Sequence, residues 1–120
     1  MARKLDPAYI ADVLTDCDIK QAVPYKRLEY MREFAAGAST KEIGAKHNKS
    51  PAHIYVEISR GMDDRRAYAK IMETPDYTLK CHLINLNNAM HHFHRLDAHR
   101  SCADIRRAIR NLIEILNPSH

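Results

Sequence analysis

Apolar side chains recur every three or four residues through most of the chain, which is the period of one face of an α-helix. A first helix is predicted to begin at Asp6-Pro7, because Asp is a good N-cap and Pro fits the first helical turn. A second is predicted between Pro24 and Gly37, since glycine after the last apolar residue commonly ends a helix. The inward face of this second helix is predicted to carry Tyr25, Leu28, Met31 and Ala35.

Two more helix starts follow at short range. Ser39 with Glu42 three residues later forms the capping-box pattern, in which each residue's side chain bonds the other's backbone N–H. Asn48-Lys49 interrupts that helix, and Ser50-Pro51 begins the next by the same N-cap logic. The helix from Ser50 should bury Ile54 and Ile58. Two helices joined by a short turn are therefore predicted here.

The C-terminal half repeats the same period. Asp63-Asp64 either caps a new helix or lies within a continuous one, and Pro75 ends the stretch. A long amphipathic helix is then predicted from the stripe Leu79, Leu83, Leu86, Met90 and Phe93. A last helix begins near Ser101 and ends at Asn117-Pro118; its apolar face is Ile105, Ile109, Leu112 and Leu116. Three Gly and no Trp also favour helices over sheets.

These elements predict an all-α fold, a small domain of five to six helices. Residues 1–120 are expected to form a single domain, in which 24–62 are a helix-turn-helix core. Residues 63–116 would supply helices for packing, dimerisation or partner binding.

The segment 34–62 resembles the LuxR-type (GerE-like) DNA-binding domains. The resemblance rests on Gly37-Ala-Ser39-Thr-Lys41-Glu42-Ile43-Gly44, followed by Ser50-Pro51-Ala-His-Ile54. It covers about a quarter of the chain and implies that the helix from Ser50 enters the DNA major groove. The function implied is a sequence-specific transcription regulator that binds double-stranded DNA as a homodimer.

Helical spacing then selects the contact residues. With Ile54 and Ile58 inward, the side chains left to face DNA bases are Ala52, His53, Tyr55, Val56 and Arg60. Phosphates would meet the N-terminal ends of the two helices, at Ser39, Thr40, Lys41 and Ser50.

Three residues depart from the family pattern. His47 stands where the family has Leu, Asn48-Lys49 replaces a Gly and a β-branched residue, and Glu57 occupies the place of a common His. Arg60 is the one basic side chain between residues 51 and 60, and Glu57 opposes it. This mild charge keeps open a second hypothesis, a helical adaptor or inhibitor, including one encoded by a phage, that modulates a host or regulatory protein without catalysis.

Charge and chemistry add little that would favour an enzyme. The chain has 19 Lys plus Arg against 15 Asp plus Glu, a net charge of +4 that permits nucleic acid binding. No glycine-rich phosphate loop or nucleophile motif occurs, so neither catalysis nor a cofactor is expected. Three scattered Cys and no long apolar run favour a cytoplasmic protein without membrane contact.

The histidines between residues 77 and 99 raise a third hypothesis, a metal or small-ligand sensor. They include His91 and His94, which share a helical face, whereas a zinc site needs three or four converging ligands. No metal ligand is therefore assigned.

Overall fold

A computed structural model describes residues 5–116, except the side chains of His99 and Leu116. Within these residues the chain is all-helical, as predicted, with seven helices where five to six were expected. The helices are α1 (Pro7–Val13), α2 (Ile19–Ala22), α3 (Tyr25–Ala35), α4 (Thr40–His47), α5 (Pro51–Met72), α6 (Tyr77–Arg95) and α7 (His99–Leu116). The helix missed by the sequence analysis is α2, a single turn too short to show a period. None of the described helices combines the length and apolar character that crossing a bilayer requires.

The chain divides into two compact units, with the boundary between Asp64 and Arg65. In unit 1, α3 packs against both α1 and α4. The apolar side chains buried most completely in this unit are Ile10, Val23, Pro24, Met31, Ile43, Ile54 and Ile58. Tyr25, predicted to face inward, is 71% exposed. It is the first residue of α3, and the buried face of that helix begins at Arg27.

Helix α5 runs without interruption through Asp63 and Asp64, which settles the alternative left open by the sequence. Asp64 cannot act as an N-cap here, because its side chain is completely buried and bound to Arg27 of α3. Gly61 lies on the same stretch, where a β-carbon would come within 2.5 Å of Met31 Sδ. The glycine therefore allows α5 and α3 to pack closely.

Unit 2 is built on helices α6 and α7, which pack against each other. Its core is aliphatic and consists of Ile71, Leu83, Ile109 and Ile113, with Leu79, Leu86, Ile105 and Leu112 packed around it. The predicted stripes on both helices thus face inward. Helix α7 begins at His99, slightly before the predicted Ser101. The predicted inward position of Leu116 and the stop at Asn117-Pro118 lie outside the residues described.

Candidate nucleic-acid interface

The predicted capping box begins α4. The amide of Glu42 donates to Ser39 Oγ at 3.1 Å, and the amide of Ser39 donates to Glu42 Oε1 at 3.0 Å. Hydrogen bonds from the backbone and side chain of Ser39 lower the pKa of Glu42. The carboxylate is therefore charged at neutral pH, where it complements the positive end of the α4 dipole.

The turn between α4 and α5 depends on Asn48 and Gly44. Asn48 has φ 58° and ψ 46°, the left-handed conformation that asparagine tolerates better than most residues. The amide of Lys49 then donates to the carbonyl of Gly44 at 2.8 Å. A β-carbon at Gly44 would lie 2.5 Å from the Lys49 carbonyl oxygen, so glycine is required for this close approach. Asn48 thus supplies the left-handed residue of this turn, and Lys49 is exposed to solvent.

Helix α5 begins with a second side-chain cap, in which Ser50 Oγ accepts from the amide of His53 at 3.1 Å. Ile54 and Ile58 are completely buried, as predicted. We call the surface opposite Ile54 and Ile58, on the first three turns of this helix, the outer face of α5. Of the five predicted base-reading residues, Ala52, Val56 and Arg60 are exposed there, while His53 and Tyr55 are half-buried.

The four predicted phosphate-contacting residues lie at the N-terminal ends of α4 and α5. Ser39, Lys41 and Ser50 are exposed, and Thr40 is half-buried. The hydroxyls of Ser39 and Ser50 already accept backbone hydrogen bonds, so each retains its O–H as a donor. Lys41 supplies the positive charge of this set.

Glu57 lies in the interior of unit 1. It is expected from the sequence to oppose Arg60, and it does contact that residue, but it is only 2% exposed and its main partner was not predicted. Its Oε1 accepts from Nε of the buried Arg27 at 3.3 Å. Arg60 Nη1 approaches Glu57 Oε2 to 3.6 Å from the solvent side, with half of its own side chain exposed. The negative charge of Glu57 therefore points into unit 1, away from the outer face of α5.

Arg27 also binds Asp64, and the three side chains form a buried ionic triad. Arg27 Nη1 donates to Asp64 Oδ2 at 2.9 Å and to Oδ1 at 3.3 Å. The side chains of Arg27, Glu57 and Asp64 are 6%, 3% and 0% exposed. A guanidinium suits this position because its planar fork can bind two carboxylates at once.

Helical spacing contained evidence for the triad that the sequence analysis missed. Glu57 and Asp64 are seven residues apart, and both fall within the stripe defined by Ile54, Ile58 and Gly61. Carboxylates in an apolar stripe require a buried cation, because an isolated buried charge is very costly. The sequence does not show which of the many basic residues supplies it.

His47, the last residue of α4, contacts two residues of α3. Its ring meets the ring of Tyr30 edge-on, with centroids 5.0 Å apart, and its Nε2 lies 2.6 Å from Glu33 Oε2. Lys46 Nζ lies 3.1 Å from Glu33 Oε1. Burial alone would raise the pKa of Glu33, but hydrogen bonds and charges from His47 and Lys46 outweigh it and lower that pKa. Glu33 is therefore ionised at neutral pH.

The histidines of α6 point in different directions. His82 and His92 are exposed, His91 is half-buried and His94 is buried. Among the residues whose side chains the structure describes, these histidines form no group close enough to share a metal ion, whereas Glu29, Glu33 and His47 do. Their ligand atoms all lie within 4.8 Å of one another.

Comparison with known proteins does not extend this picture, because no protein-family model, curated protein or solved structure matches the chain. The case for function thus depends on the site itself.

Proposed function

We propose that this protein is a sequence-specific DNA-binding transcription regulator that reads the major groove with the outer face of α5. The observation that carries the proposal is the inward position of Glu57. With this carboxylate bound to Arg27, the outer face carries Arg60 and apolar or neutral side chains. A helix that follows a tight turn and presents such a face fits the major groove.

Most of the residues predicted to contact DNA can be matched with a chemical group on the duplex. Arg60 would donate two hydrogen bonds to guanine, after leaving its long 3.6 Å contact with Glu57. Val56 is 42% exposed and would contact a thymine methyl group. His53 and Tyr55 would add hydrogen bonds at the edge of the face. Lys41, with the hydroxyls near the start of each helix, would hold the backbone phosphates.

The proposal includes a homodimer that reads two half-sites, the usual arrangement for helix-turn-helix regulators. A dimer would also compensate for the low positive charge of α5, because two copies double the number of phosphate contacts. Large apolar side chains are exposed in unit 2, at Tyr77, Leu96 and Ile115. They are the candidate dimer contacts.

Fluorescence anisotropy with a random pool of DNA duplexes, followed by selection and sequencing of the bound fraction, tests the proposal. We expect affinity to fall steeply as salt rises, because phosphate contacts release counterions. Absence of binding at low salt would refute it.

Protein variants, measured on the selected DNA site, distinguish residues that read bases from residues that contact phosphates. Arg60→Ala and Tyr55→Ala should reduce discrimination between bases, by about 1–3 kcal/mol for the arginine. Lys41→Ala should weaken binding to all sequences about equally and lower the salt slope by about one. Lys20→Ala, an exposed lysine on α2, is the matched control and should change neither.

A helical adaptor or inhibitor is the alternative function. It is favoured by one observation, that Arg60 is the one basic side chain in the first ten residues of α5 and already contacts Glu57. Affinity purification from the native cell, with nuclease treatment, distinguishes the two. Recovery of one stoichiometric protein partner, together with no DNA binding, would favour the adaptor.

A further inference from the structure

We propose that Glu29, Glu33 and His47 form a binding site for a divalent transition-metal ion of the zinc type, linking α3 to α4. Glu29 and Glu33 are four residues apart on α3, so their side chains share one face of that helix. His47 is the last residue of α4 and brings an imidazole to the same place. This site is separate from the outer face of α5, and the inference does not depend on DNA binding.

The geometry is close to that of a metal site. Four-coordinate zinc with bonds of about 2.1 Å places its ligand atoms about 3.4 Å apart. The three candidate ligand atoms lie within 4.8 Å of one another, and His47 Nε2 and Glu33 Oε2, at 2.6 Å, share a hydrogen bond whose proton a metal ion would replace. Glutamate side chains can cover differences of about 1 Å by changing rotamer. Three protein ligands leave a fourth position for water.

The local chemistry also favours a cation. The His47 side chain is 11% exposed, and its ring is oriented by the edge contact with Tyr30, so little freedom is lost on binding. Glu33 is ionised at neutral pH. The pairing of imidazole nitrogen with carboxylate oxygen suits zinc, cobalt, nickel and iron better than calcium or magnesium.

A metal ion must replace the proton that His47 and Glu33 share, and it must also displace Lys46. Its side chain is 66% exposed, and exposed ion pairs contribute little stability, so its ammonium can move into solvent when a dication binds. Glu29 and Glu33 together carry one more charge than Lys46 neutralises. A dication is therefore a better counterion for this cluster than the lysine alone.

Calorimetric titration of the full chain, purified without a histidine tag, with ZnCl2 and separately with CoCl2 tests the inference. We expect one site per chain in unit 1 and a rise in the melting temperature. Glu29→Gln and His47→Leu should each weaken binding at least about tenfold, because even loss of an outer-shell partner costs about 10–100-fold. Glu29→Gln keeps the side-chain shape, and circular dichroism of the metal-free variants checks that both fold.

The matched control is the double variant His82→Gln, His92→Gln, which removes two exposed histidines of α6. Retained tight binding in this control, with loss in Glu29→Gln and His47→Leu, supports the site. Wild-type protein that binds neither metal would overturn the inference. So would Glu29→Gln and His47→Leu variants that bind as tightly as wild type.

Discussion

The interiors of the two units are built from different chemistry. Unit 1 encloses the ionic triad of Arg27, Glu57 and Asp64, whereas the centre of unit 2 is an aliphatic cluster around Leu83. Aliphatic packing is non-directional, and several combinations of side chains can fill the same volume. A buried ionic network has fixed geometry, and any mismatch leaves a charge without a partner. Unit 1 therefore holds α5 at a defined rotation, which keeps Glu57 inside and Arg60 outside.

The largest effect should come from the triad. Arg27→Met keeps an unbranched apolar side chain but leaves Glu57 and Asp64 without their shared cation. We expect a loss of about 4 kcal/mol in the free energy of unfolding, since breaking a buried ion pair on one side costs about 3–5 kcal/mol. Urea denaturation measures the loss, and hydrogen exchange should place it in α3 and α5, the two helices that the triad joins.

The control for Arg27→Met is the triple variant Arg27→Met, Glu57→Gln, Asp64→Asn. It removes all three charges, so it should recover a substantial part of the lost stability. If Arg27→Met is as stable as wild type, the triad does not hold unit 1 together.

Substitution in the aliphatic core of unit 2 should reduce the free energy of unfolding somewhat less than Arg27→Met does. Leu83→Ala removes a completely buried side chain, and we expect a cost of about 3 kcal/mol from lost burial and the cavity left behind. Leu83→Met should cost under about 1.5 kcal/mol because it nearly conserves volume. Arg27→Lys should cost more than Leu83→Met, since lysine cannot reproduce the guanidinium fork. Equal costs for these two conservative changes would remove the distinction between the units.

A third prediction concerns the turn before α5. Gly44→Ala should destabilise unit 1 by about 2 kcal/mol, because the new β-carbon meets a backbone oxygen at 2.5 Å and the turn must shift. Thermal unfolding measures the change, and Ala45→Ser on the exposed side of α4 is the control. A neutral Gly44→Ala would show that the turn is not tightly held.

The smallest effect is a pH dependence specific to unit 1. The pKa of Glu33 is lower in the folded protein, so its contribution is present above the unfolded pKa and is lost as pH falls through the folded value. The stability cost of Glu33→Gln, measured by urea denaturation between pH 6 and pH 3, should shrink toward the acidic end. The cost of Leu83→Ala should stay constant over that range, because no proton is involved. A pH-independent cost for Glu33→Gln would contradict the prediction.

Helical periodicity predicted most of the fold, because burial of apolar stripes such as Ile54 with Ile58 decides where long helices lie. Capping chemistry located the start of α4 at Ser39, since that bond is local in sequence. The continuity of α5 through Asp63 and Asp64 could not be predicted, because acidic residues favour both helix starts and exposed helix faces. It depends on Arg27, which is 37 residues from Asp64 along the chain.

Helical spacing predicted which residues of α5 are buried, but it did not predict the surroundings of two polar residues near the candidate site. Glu57 was counted as a charge that offsets Arg60 on the reading helix, although its spacing from Ile54 places it beside the buried stripe. His47 was treated as a departure from an apolar position, and its partners on α3 could not be inferred. In both cases the deciding contact is long-range, and a single sequence does not encode pairing between distant residues.

The ionic triad also constrains how this protein can change over generations. Replacing Arg27 alone would leave two interior carboxylates without their shared cation, and replacing Glu57 or Asp64 alone would leave some of the buried Arg27 N–H donors without their acceptor, so single substitutions there should be selected against. Related sequences should therefore keep all three residues or exchange them as a set. Positions 27, 57 and 64 would then covary, and that covariation could identify distant relatives whose overall identity is too low to align.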